Sequence, residues 1–143
     1  MGQTIIKLKV DTVSLKNADP STSWAKITQN GGVNSAPNQD PDLFVSQVYQ
    51  GDEITWVGEA VTLNAGTGDP QPVINITEIE LSREIAPGTF GEPVINTFWD
   101  GGSTVTMTAL QDFGSLAPQN YTIHFTISYK GRFLDPKIKI IAH

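Results

Sequence analysis

The chain has no cysteine. That removes disulfides, thiolate nucleophiles and cysteine-held zinc or iron–sulfur clusters together, and it leaves the redox compartment open. Histidine is nearly as scarce, with only His124 and His143. A Ser-His-acid catalytic arrangement would have to recruit His124, and no Gly-x-Ser-x-Gly elbow accompanies it. No apolar run approaches the ~20 residues of a membrane-spanning helix. The opening Met1-Gly2-Gln3-Thr4-Ile5-Ile6 enters a strand pattern without the charged and apolar regions of a secretory signal, and Ile6 stands where a myristoylation motif wants Ser or Thr. The expectation is a cytoplasmic protein with no membrane span, any release following a non-classical route. Bases are missing from the middle of the chain: between residues 40 and 112, Arg83 stands alone against twelve acids, within a formal net charge of −6. Nucleic acid is therefore not expected as a partner, because phosphate binding needs a concentrated basic surface. The bases gather at the ends, with Lys7, Lys9, Lys16 and Lys26 in the first part and Lys130, Arg132, Lys137 and Lys139 in the last.

What the chain does have is period-two alternation. Ile6, Leu8 and Val10 alternate with Lys7, Lys9 and Asp11 in a first strand, and Tyr121, Ile123, Phe125 and Ile127 alternate with Thr122, His124, Thr126 and Ser128 in a late one. Lys130-Gly131 offers a turn, after which Ile138 and Ile140 alternate with lysines, so residues 121–140 read as a core hairpin. Leu43 to Tyr49, Glu53 to Gly58, Val94 to Phe98 and Thr104 to Met107 read as further strands. Ile54 and Trp56 share a face, which makes Trp56 a core anchor. Val73 to Leu81 slips phase, and a bulge near Thr77 and Glu78 accounts for the slip. From Asn17 to Asp42 turn formers displace any periodicity, predicting a long excursion pinned by Trp24 and Ile27. Residues 1–143 thus read as a single all-β domain, a two-sheet antiparallel β-sandwich of immunoglobulin or jelly-roll kind.

Ligand chemistry points to the loops, because the ends of a sandwich are free to vary while its faces hold the core. Asn38, Asp40 and Asp42 form one oxygen-rich cluster and Asn64 and Asp69 another, while Trp99-Asp100 sets an aromatic ring beside a carboxylate. A ring that stacks on C–H faces next to a group that bonds hydroxyls is the equipment of a sugar site. The same oxygens would suit calcium. Asp and Asn also populate turns by bonding the backbone two residues on, and no EF-hand spacing is present, so no cofactor and no metal ligand is assigned. No catalytic residue is assigned either, although a carboxylate pair for glycoside hydrolysis is compatible with the acidic composition.

Two motifs carry a resemblance. Gly51-Asp52-x-Ile54-x-Trp56-x-Gly58 together with Tyr121-x-x-x-Phe125 and the closing Phe133-x-Asp135-Pro136-x-Ile138 resembles the AidA/PixA inclusion-body protein family of bacteria. The stretch from Gln50 to Trp56 is also reminiscent of cupredoxins, but blue copper takes two histidines and a cysteine, and the cysteine is missing. The AidA/PixA resemblance implies a non-enzymatic cytoplasmic β-sandwich that accumulates or assembles, with carbohydrate binding as an activity, and it carries over no catalytic residue. The expected function is lectin-like carbohydrate binding by a homo-oligomer. The alternatives are a self-assembling inclusion-body or structural protein and, third, a hydrolase. Charge segregation adds a specific expectation: the lysines of the first and last strands meet acidic surface of a neighbouring copy.

Overall fold

Alternation and burial coincide along most of the chain. The computed structural model describes residues 2–11, 25–34, 44–61, 73–96, 102–127 and 130–142. Among them run eleven strands and no helix: β1 Gln3–Asp11, β2 Ala25–Asn30, β3 Val33–Asn34, β4 Val45–Tyr49, β5 Glu53–Val61, β6 Ile74–Leu81, β7 Val94–Asn96, β8 Thr104–Thr108, β9 Gln119–Ile127, β10 Lys130–Leu134 and β11 Lys137–Ile141. The first sheet has the order β2-β1-β5-β8-β7; the second runs β10-β9-β11-β4-β3, with β6 on the other side of β9. Ile6, Leu8 and Val10 of β1 share one buried cluster with Ile123, Phe125, Ile138 and Ile140 of the second sheet. Phe125 is 1% exposed and Trp56 1%, so both expected anchors lie in the core.

The two-sheet sandwich is as expected, but its sheets are mixed rather than antiparallel. β1 pairs with β5 in parallel from Gln3↔Glu53 to Asp11↔Val61, and β4 pairs with β11 in parallel from Val45↔Lys137 to Tyr49↔Ile141. The cause is where the chain changes sheets. It passes from β2 to β3 through Gly31-Gly32 and from β4 to β5 through Gln50-Gly51-Asp52, so β3 does not pair with β2, nor β5 with β4. Gly31 has φ +92°, and a Cβ there would stand 2.3 Å from the Gln3 carbonyl oxygen, so this crossing admits only glycine. Ser103, just before β8, ties that strand to β6 of the other sheet: its N–H donates to Asn75 Oδ1 at 2.8 Å, and Ile76 N–H donates to the Ser103 carbonyl at 3.0 Å.

Three further expectations are revised. Ala25–Asn30, inside the expected excursion, is a strand, and Ala25 and Ile27 are buried while Lys26 faces out. Trp24 lies outside the described residues. The hairpin turn is not Lys130-Gly131: Lys130 pairs with Ile127 and Gly131 with Thr126, so both belong to the return strand. That return is also broken in two. Proline has no N–H to give a ladder, and at Asp135-Pro136 the ribbon bends, Tyr121 N–H donating to the Pro136 carbonyl at 2.9 Å. Beyond the bend β11 touches β9 only at Lys137↔Asn120 and Ile138↔Gln119 and then follows β4. The bulge is where the phase slip put it, with the β6–β9 register shifting between Ile76 and Glu78 so that Ile76 and Ile79 both stay buried.

Candidate functional site

The residues chosen from sequence as ligand-binding, namely Asn38, Asp40, Asp42, Asn64, Asp69, Trp99 and Asp100, lie outside the described residues. The described residues offer a different site, on a face instead of at the loops. The side of the first sheet turned away from the core carries a groove of about 350 Å³ across three strands. β1 contributes Gln3, Ile5 and Lys7, β2 contributes Thr28, Gln29 and Asn30, and β5 contributes Thr55 and Val57.

The groove follows from alternation and register together. Because Ile6 and Leu8 point inward, Ile5 and Lys7 point outward; because Ile54 and Trp56 point inward, Thr55 and Val57 point outward. The parallel register then sets Ile5 beside Thr55 and Lys7 beside Val57, and the antiparallel one sets Ile5 beside Asn30 and Lys7 beside Thr28. Ile5 and Val57 give an apolar floor flanked by amides, hydroxyls and one ammonium. Thr55 is held in place by a 3.0 Å hydroxyl–hydroxyl bond to Thr106 of β8. Gln29 is committed to structure at the sheet crossing, donating to the Gly31 carbonyl at 2.9 Å and the Gln47 carbonyl at 3.1 Å while accepting from Ser46 Oγ. Lys7 Nζ lies 3.7 Å from Glu59 of β5. Among the described residues the lining is of amides, hydroxyls, two aliphatic side chains and the Lys7 ammonium.

The outward face of the second sheet is organised by charge. His124 of β9 bonds Glu80 of β6 at 2.8 Å, Thr122 Oγ1 donates to Asp135, and Phe133, opposite His124 on β10, is 63% exposed. On the far side of β9, Lys137 and Lys139 alternate with the buried Ile138 and Ile140 and make no ion pair among the described residues. The first and last strands are not neighbours, so their lysines do not oppose one another: β1 lies between β2 and β5, and β11 between β9 and β4. The described residues contain no group of three or more His, Asp or Glu side chains placed to hold a metal ion, and no helix long and apolar enough to cross a membrane.

Sequence reasoning passed over the groove because one of its three walls, β2, sits among turn formers. The available signal was the short alternation Ala25, Ile27 against Lys26, Thr28. The sequence matches no protein-family model and no curated protein.

Proposed function

We propose that the protein is a non-enzymatic, lectin-like carbohydrate-binding β-sandwich of the cytoplasm, with the β2-β1-β5 groove as its ligand site. The observation that carries this reading is the lining: an Ile5–Val57 floor bordered by Gln3, Thr28, Asn30 and Thr55. A sugar ring has apolar C–H faces and a rim of hydroxyls that both donate and accept. A small apolar floor with a few convergent amides and hydroxyls matches it. The resemblance to the AidA/PixA family points the same way. A glycan array followed by titration calorimetry tests it. The double change Gln3→Ala with Asn30→Ala is expected to weaken saturable sugar binding at least about tenfold, the equivalent of roughly 1.4 kcal/mol, with the melting temperature unchanged because both side chains are exposed. Absence of saturable binding across the array, or full binding in the double variant, removes the groove from this role.

A second reading, self-association, is favoured by the second sheet's outer face. Glu78 and Glu80 stand on one side of β9 and Lys137 and Lys139 on the other. A two-fold axis through β9 brings the lysines of one copy over the glutamates of the next, the self-complementarity that a symmetric dimer needs. Exposed charges are screened beyond about 8–10 Å near physiological ionic strength, so the association is expected to weaken as salt rises and to vanish in Lys137→Glu with Lys139→Glu. Sedimentation across a salt series decides: a monomer at low salt, or an oligomer indifferent to both salt and the charge reversal, leaves these lysines as solvated surface.

A further inference from the structure

The lysines beside the groove are placed at a cost. Lys9 of β1 stands directly opposite Lys26 of β2, and Lys7 lies two residues away on the same face. Like charges opposite one another across antiparallel strands are destabilising. The described side chains set one carboxylate among them: Glu59, 3.7 Å from Lys7 Nζ and level with Lys9 in the β1–β5 register. The other acid on this face of β5, Glu53, is at the opposite end, level with Gln3. Among the described side chains, one carboxylate against three ammoniums leaves a local excess of positive charge beside the groove, on a chain of net charge −6. Guarding a sheet edge accounts for Lys26, since β2 is an edge strand. It does not account for Lys7 and Lys9, because β1 is interior to the sheet, hydrogen-bonded to β2 on one side and β5 on the other.

We infer that the groove takes an acidic saccharide, a uronic-acid oligosaccharide whose carboxylate sits at the Lys7–Lys9–Lys26 end and whose hydroxyls run along Thr28 and Asn30 towards Gln3. The inference rests on the carbohydrate reading above and adds the charge of the ligand. Binding of an anion neutralises the opposed pair and so lowers the repulsion between Lys9 and Lys26 beyond what Glu59 offsets. Ammonium groups act here as point charges, which recognise a carboxylate without demanding the planar, bidentate geometry of arginine.

The test compares tetragalacturonate, its fully methyl-esterified form and a sulfated galactose oligosaccharide by titration calorimetry on the full chain. The expected result is binding of the acid at least about tenfold tighter than the ester, a preference that shrinks with added salt. Lys9→Gln with Lys26→Gln should bring the ratio of the two affinities to about one, and Glu59→Gln, which removes the competing carboxylate, should widen it. A gain of that kind is not produced by misfolding. Equal affinity for acid and ester, or a preference that survives the double variant, overturns the inference and leaves the carbohydrate reading standing. Tight binding of the sulfated sugar without the uronate overturns the carboxylate assignment. Silence of all three sugars, together with silence on the glycan array, overturns both.

Discussion

Trp56→Ala is expected to lower the free energy of unfolding by about 3–5 kcal/mol, the range for deleting a large buried aromatic. Trp56 sits in the middle of the first sheet, beside Ile6 of β1 and Val105 of β8, and is 1% exposed. Its indole N–H donates to the Tyr121 hydroxyl at 3.0 Å, and the two rings meet edge to face with centroids 5.8 Å apart. Tyr121 belongs to β9, so this contact joins the two sheets through the core. Tyr121→Phe keeps the ring and strands the indole N–H, at a cost of about 1–3 kcal/mol. The pair also sets an alkaline limit. Burial pushes the Tyr121 phenol well above its usual 10.0, and the hydrogen bond from Trp56 offsets this only in part. In the unfolded chain the phenol ionises near its ordinary value while the native state still holds the proton. Stability from this group is therefore complete below about pH 10 and falls as pH rises past it. Urea midpoints at about pH 8 and about pH 11 should drop less in Tyr121→Phe than in the parent protein, and equal drops would show that this phenol does not control the alkaline limit.

Local pattern specified what is local. The inward faces of β1 and β9, the anchors Trp56 and Phe125, and the bulge between Ile76 and Glu78 all follow from alternation and its one slip. Partner choice was not legible. Antiparallel and parallel neighbours present the same alternation, and nothing in residues 3–11 or 53–61 announces that they lie side by side in the same direction. The groove depends on that pairing, so its walls came from a relation between distant segments that a single-strand pattern does not encode. The terminal hairpin illustrates the same limit: alternation does not mark Asp135-Pro136 as the point where one ribbon leaves β9 for β4. The motif residues behind the family resemblance are structural ones. Gly51-Asp52 makes a sheet crossing, Ile54 and Trp56 fill the core, and Asp135-Pro136 separates β10 from β11, so they specify a framework.

Asp52→Ala is expected to be the second costly change, at about 2–4 kcal/mol, because it removes the carboxylate that accepts from three donors, the Thr4 hydroxyl among them buried. Asp52 is 3% exposed at the crossing from β4 to β5. Its carboxylate accepts from Gly2 N–H at 3.1 Å, Tyr49 N–H at 3.2 Å and the Thr4 hydroxyl at 3.4 Å. The backbone around it extends the junction. Gln50 N–H donates to the Ile141 carbonyl, Gly51 N–H to that of Ala109, and Ala109 N–H to that of Asp52, so β1, β4, β5, β11 and the end of β8 meet here from both sheets. Water can serve the Gly2 amide, which is exposed, but Thr4 is fully buried, so its hydroxyl bears the loss of the acceptor. Asp52→Asn retains one acceptor oxygen and should cost roughly half as much. Thr4→Val in the Asp52→Ala background removes the orphaned hydroxyl and should recover part of the loss, a coupling that neighbouring, interacting residues show and independent ones do not. Urea unfolding of the single and double variants measures each figure. A loss below about 1 kcal/mol in Asp52→Ala, or strict additivity with Thr4→Val, would mean that the backbone bonds of the crossing hold the two sheets together without the carboxylate.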